Sequence, residues 1–141
     1  MTPALEDFFG AKLALFVPGG VLAYLRDDVP GLRWAGYWDL PGGGREDGES
    51  PKTCVLRELW EEFGFRLDPA CISYRREYPS IDRPGLKSWF FASALPAFRE
   101  ENVTFGDEGQ YWRVLSPETF MQAQAVPYLK ERLTDYLATV T

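Results

Sequence analysis

The sequence contains no histidine, and only two of its 141 residues are cysteine. The first absence excludes imidazole as a general base, as a metal ligand and as a member of a nucleophilic triad. The second leaves Cys54 and Cys71 with neither metal-ligand spacing nor a partner motif. Cys54 falls inside a predicted helix and reads as a small packing residue. Any bound metal must therefore be a hard cation held by oxygen, and any general base a carboxylate.

Long hydrophobic runs are missing too. The longest, Ala11 to Val17, is interrupted by Lys12 and is far too short to span a bilayer. Positive charge is in deficit, with 15 Lys and Arg against 21 Asp and Glu and a net charge of −6. That balance argues against an electrostatic grip on DNA, RNA or anionic lipid. A small polyanionic ligand stays open, provided cations accompany it. The N-terminus, MTPALEDFFG, is acidic where a secretory signal would be basic, so the expectation is a cytoplasmic protein.

What the chain does have is 45% hydrophobic and 16% aromatic residues, enough for a real core in a single domain over residues 1–141. Residues 11–17 and 21–26 read as strands of a hairpin turned by Pro18-Gly19-Gly20, followed by a surface loop at 27–36. Residues 37–40 read as a short strand running into the loop PGGGREDGES. A helix is expected from an N-cap at Ser50, with Pro51 in the first helical position, to Phe63 and a stop at Gly64. Further strands are expected at 71–78, 86–95 and 110–115. The C-terminal helix should bury Val126, Leu129, Leu133, Leu137 and Val140, with Tyr136 alongside. This order predicts an α+β or α/β sandwich with a mixed sheet.

The helix at 51–63 carries the chemistry. At about 100° per residue, Val55, Leu56, Leu59 and Phe63 share one arc, with Trp60 at its margin near ~140°. Glu58, Glu61 and Glu62 fall on another side, between about 240° and 340°. Their spacing makes them neighbours, and like charges so placed repel unless something positive sits among them. In the preceding loop, Gly42-Gly43-Gly44 lets a backbone carbonyl turn toward the helix. Carboxylates with one carbonyl form a donor set suited to magnesium or manganese (Mg2+ or Mn2+).

Taken together, Gly43-x5-Glu49-x7-Arg57-Glu58-Leu59-x-Glu61-Glu62-x-Gly64-Phe65 resembles the Nudix box, G-x5-E-x7-R-E-U-x-E-E-x-G-U, at every specified position. Trp38-Asp39-Leu40-Pro41-Gly42 looks like the usual entry to it, and the length and strand order resemble a small MutT-like Nudix domain. The resemblance implies a Nudix-type α/β/α sandwich with a central mixed β-sheet, hydrolysing a pyrophosphate bond in a nucleoside diphosphate derivative. It implies Glu61, Glu62 and the Gly43 carbonyl as metal ligands. Glu58 would bind a metal, or orient or deprotonate water. Arg57 would hold Glu58, and Glu49 would brace the loop against the helix.

Outside the box, the resemblance suggests one more acid in the loop FGDEGQYW, with Glu108 preferred to Asp107, and a substrate-binding arginine at Arg26. Trp34, Tyr37, Trp89 and Phe90 are candidates for stacking on a base, with Trp38 assigned to the core. Arg33, Arg83 and Lys87 are candidates for neutralising phosphate. The expected substrate is a nucleoside triphosphate, including an oxidised one such as 8-oxo-dGTP, giving the monophosphate and pyrophosphate. The box begins at residue 43, leaving no room for the extra N-terminal domain of ADP-ribose pyrophosphatases in this family. Nucleotide sugars, ADP-ribose and dinucleoside polyphosphates are the alternatives, and a nucleotide-sensing domain without catalysis is the reading from another class. The charge disfavours a role on RNA ends, and monomer and homodimer are equally open.

Overall fold

Residues 7–140 are described by a computed structural model of the chain. The reading of the N-terminus leans on residues 1–6, which lie outside the described residues. The chain enters as β1 (Phe8–Val17), turns through glycines at positive φ and returns as β2 (Gly20–Leu25). The two strands pair antiparallel only near the turn, Phe16 with Val21 and Val17 with Gly20, and then part.

Where they part, each takes a partner from the segment that reads as a short strand and loop in the sequence. β3 (Trp38–Asp39) pairs with β2, and β4 (Gly42–Gly44) pairs with β1. A strand of three glycines runs against propensity, and its cause is close approach. A Cβ on Gly42 would strike the backbone of Ala11, and one on Gly10 would strike the Gly43 carbonyl. The expected strand at 37–40 thus shrinks to two residues, and the expected loop contributes a strand of its own.

β5 (Ile72–Pro79), β6 (Lys87–Ala94) and β7 (Tyr111–Leu115) lie within a residue or two of expectation. The sheet runs in the order β3-β2-β1-β6-β5, with β4 also on β1 and β7 also on β2. Among the described strands, β1 and β6 alone pair parallel with one another, so the sheet is mixed.

Helix α1 (Pro51–Phe63) covers one face. Cys54, Val55, Leu59 and Phe63 are buried there with Leu13, Leu15, Leu22 and Phe91. Each such side chain contributes roughly 1.5–3 kcal/mol on burial. Helices α2 (Pro117–Gln122) and α3 (Pro127–Thr139) cover the other face, where Phe120, Leu129 and Leu133 pack on Ala14, Val21 and Phe90. The result is three layers, the α/β/α sandwich with a central mixed sheet that the resemblance implied.

Two side chains depart from the helical patterns. Trp60, at the margin of the α1 arc, is 44% exposed with the Arg66 guanidinium over its ring. Val140 lies just beyond α3 and is exposed. Among the described residues, no helix is long and apolar enough to cross a membrane.

Candidate active site

Ser50 caps α1 by accepting the Thr53 N–H on Oγ, and Gly64 ends it in the left-handed region with its N–H on the Trp60 carbonyl. Between these caps, Arg57 ties the preceding loop to the helix. Its Nε donates to Glu49 Oε2, and Nη2 donates to Glu49 Oε1 at 3.2 Å and to the Gly44 carbonyl at 2.9 Å. Nη1 donates to Glu58 Oε1 at 3.1 Å and to Glu61 Oε1 at 3.0 Å. These charge-assisted bonds hold the guanidinium firmly charged and pull the Glu49 carboxyl below its ordinary value. Glu49 also accepts the Glu46 N–H at 2.9 Å, so the brace between loop and helix lies in one carboxylate.

Glu58 and Glu62 are more enclosed. Glu58 Oε2 occupies the space that a Cβ on Gly43 would fill, so a side chain there would have to displace the carboxylate. Burial, then a hydrogen bond shared with Glu61, pushes the Glu58 carboxyl up to about 7, with Arg57 opposing. Glu62 accepts the Gly42 N–H at 2.9 Å, and burial pushes its carboxyl up to about 8. Glu61 is the exposed member. The Gly43 carbonyl faces the Cys54 thiol at 3.6 Å.

Beneath β4 lies a second polar group that sequence reasoning did not assign to the site. Lys12 Nζ donates to the Leu40 carbonyl at 3.2 Å and the Gly42 carbonyl at 3.1 Å, and ion-pairs with Asp39 at 3.0 Å. Asp39, buried, also accepts from Arg26 Nη1, Tyr24 Oη and its neighbour's N–H. The signal was present: a lysine interrupting the apolar run of 11–17.

A cleft of about 260 Å³ opens on the α3 side of the sheet, with Gly43 and Gly44 in its wall beside Lys12, Arg26, Trp34 and Arg132. Arg26 is therefore at the cleft, held by Asp39 and donating from Nε to the Arg33 carbonyl. Trp34 and Trp89 line it, whereas Tyr37 packs edge-on against Trp34 outside the lining, and Phe90 is fully buried core, out of reach of any base. Trp38 packs in the α3-side core, edge-on to Tyr111. Arg33 lines the cleft but pairs with Asp82 at 2.9 Å; Lys87 pairs with Glu77, and Arg83 lies over the Phe9 ring. Loop 104–106 is stitched to the end of α1 by Thr104 N–H on the Phe63 carbonyl and Gly106 N–H on the Glu62 carbonyl. Asp107 and Glu108 follow directly, both exposed, with Glu108 beside Tyr24 and Arg26.

Among the described residues, no three acidic or thiol side chains are gathered closely enough to enclose an ion. The donor chemistry nonetheless fits a hard divalent cation. Glu49, Glu58 and Glu61 offer carboxylate oxygen around a single guanidinium, with Glu62 one helical turn from Glu58, and burial holds the carboxyls of Glu58 and Glu62 above their ordinary range, an environment that a bound cation would relieve.

The sequence matches the model of the NUDIX domain over residues 14–136. A MutT-like protein of Streptomyces ambofaciens is 39% identical over 67 residues, 48% of this chain and 40% of that protein. The RNA pyrophosphohydrolase of Tolumonas auensis is 34% identical over 87 residues, 52% of this chain and 50% of that one. The chain thus spans half or less of these two relatives. Among solved structures, the MutT protein from Methanosarcina mazei Go1 superposes with a TM-score of 0.75 at 21% identity, covering 96% of this chain and 97% of that one. With a box intact at every position and a family match across most of its length, the chain belongs to the NUDIX domain family.

Proposed function

We propose that this chain is a divalent-metal-dependent pyrophosphohydrolase that cleaves a nucleoside triphosphate to the monophosphate and pyrophosphate. The observation that carries the reading is the shared wall at Gly43 and Gly44. On one side lie the carboxylates tied by Arg57; on the other opens a cleft lined by cationic and aromatic side chains. A substrate with phosphates at the box and its nucleoside in the cleft would span that wall.

Glu58, Glu61, Glu62 and the Gly43 carbonyl would hold the cation, with Glu108, or Asp107 beside it, supplying a further acid. The cation supplies positive charge between an acidic helix and an anionic substrate and polarises the phosphate oxygens it touches. Arg57 orients the Glu58 carboxylate, and Glu49 holds Arg57. Glu58 is the carboxylate placed to take a proton, since Arg57 bonds its Oε1 and leaves Oε2 free of that contact. The water oxygen forms a new bond to phosphorus, the bridging P–O bond breaks with pyrophosphate leaving, and the water's proton passes to Glu58.

The name of the Tolumonas relative favours a second reading, removal of pyrophosphate from the 5′ end of RNA. The net charge of −6 weighs against a long RNA footprint but leaves a terminal nucleotide accommodated. Both are tested by turnover, with magnesium and with manganese, of canonical and 8-oxo nucleoside triphosphates, ADP-ribose, nucleotide sugars, dinucleoside polyphosphates and 5′-triphosphorylated RNA. Phosphate, pyrophosphate and monophosphate are measured separately. Metal-dependent pyrophosphate release from a free triphosphate supports the first reading, and preference for RNA the second. Preference for a linked diphosphate would redirect the substrate class, and no turnover with tight nucleotide binding would indicate a sensing domain.

A further inference from the structure

Arg132 is out of place in α3. It lies on the buried stripe between Leu129 and Leu133 and is only 4% exposed. Its guanidinium is flanked by the rings of Tyr78 at 4.5 Å and Tyr128 at 4.6 Å. Nη1 donates to Ser88 Oγ at 3.0 Å and Nη2 to the Pro79 carbonyl at 3.3 Å. Two of its five N–H donors are thereby used. Among the described residues no carboxylate forms an ion pair with it: Asp82 pairs with Arg33, Asp135 accepts from Tyr78 and pairs with Arg76, and the adjacent Glu131 is exposed. A desolvated cation without a carboxylate partner is costly, and a lone pair supplied by a ligand would offset that cost. Arg132 lines the cleft.

Sheet register fixes where along the cleft it sits. Gly44 pairs with Gly10, Gly10 with Ser88, and Ser88 with Tyr78. Arg132, bonded to Ser88 and stacked on Tyr78, is thus two strand spacings, about 10 Å, from the glycine wall of the box. A ribose and a base bridge such a gap, whereas a phosphate adjoining the cleaved bond stays near the box.

Building on the hydrolase reading, we infer that Arg132 is the specificity-determining residue of the cleft, presenting its guanidinium fork to the adjacent O6 and N7 acceptors of a guanine-type base. Adenine offers at that edge one acceptor beside an amino donor, which the fork meets with hydrogen against hydrogen. Tyr78, Tyr128 and Ser88 hold the fork's plane, and Trp34 stands in the cleft wall.

The test is equilibrium binding of GMP and AMP without metal, followed by tryptophan fluorescence, alongside turnover of GTP and ATP with manganese. Wild-type protein should bind GMP at least about tenfold more tightly than AMP. Arg132→Gln should lose that preference through weaker GMP binding while AMP binding is unchanged. Ser88→Ala, which removes a hydroxyl partner and leaves the buried cation in place, should retain the fold and narrow the preference. Equal binding of GMP and AMP by the wild type, or an undiminished preference in both variants, would overturn the assignment. Selective GMP binding without turnover of either triphosphate would instead overturn the triphosphate reading and leave this one standing.

Discussion

Glu62 does two things at once: it anchors the β4 strand through the Gly42 N–H, and it presents a carboxylate in the box. Glu62→Gln keeps the carbonyl acceptor and removes the charge. The expected outcome is a thermal midpoint close to wild type with metal-dependent pyrophosphate release down at least about 100-fold; wild-type turnover would refute the metal assignment. The cysteines differ in the same residue-level way. Burial pushes the Cys54 thiol up to about 12, beneath the Gly43 carbonyl, whereas Cys71 is partly exposed. Iodoacetamide at pH 8 should modify Cys71 in the native protein and spare Cys54 until denaturant is added, as peptide mass spectrometry would show. At this scale the acids of the box were legible because their order and spacing are specific. Lys12 and Arg132 were not assigned, although each is a charge standing in an apolar stripe. What such a charge does depends on partners remote in sequence, Asp39 and the Leu40 and Gly42 carbonyls for one, Ser88 and Tyr78 for the other.

Among the elements, α1 was the most legible, because a cap, a proline, an apolar period and a terminal glycine all agree on the same thirteen residues. Leu59 sits at its centre with no exposure, and Leu59→Ala should lower stability by roughly 2–5 kcal/mol in chemical denaturation. The α1 cap has a twin that went unread: Ser116-Pro117-Glu118-Thr119 opens α2 with the same Ser and Thr hydrogen bonds as Ser50-Pro51-Lys52-Thr53. The β4 strand was illegible for the opposite reason, since glycine propensity opposes a strand and only the closeness of β1 imposes one. The brace between loop and helix makes a prediction with a sign. Glu49 titrates below its ordinary value because Arg57 bonds its charged form. Such a group stabilises the fold above an unfolded value of about 4.3 and loses that contribution as pH falls through the lower folded value. Glu49→Gln should therefore be less stable than wild type at pH 6, with the difference closing below about pH 4, as denaturant titrations at several pH values would show.

Across the whole molecule, the sheet interleaves the two halves of the chain. The box lies wholly in the first half, yet β1 takes its parallel neighbour β6, and β2 its outer neighbour β7, from the second. The fold class was readable from element order, but this weave was not, because strand adjacency is set by tertiary packing. It has a practical consequence at the exposed turn of residues 83–85. A break there would give one fragment holding every glutamate of the box and another holding β6 and β7, the strands that pair with β1 and β2. Neither fragment should cleave anything alone. Mixed, they should reassemble by strand addition and recover turnover in proportion to the complex formed, so that hydrolysis itself reports the reunion of the two pieces.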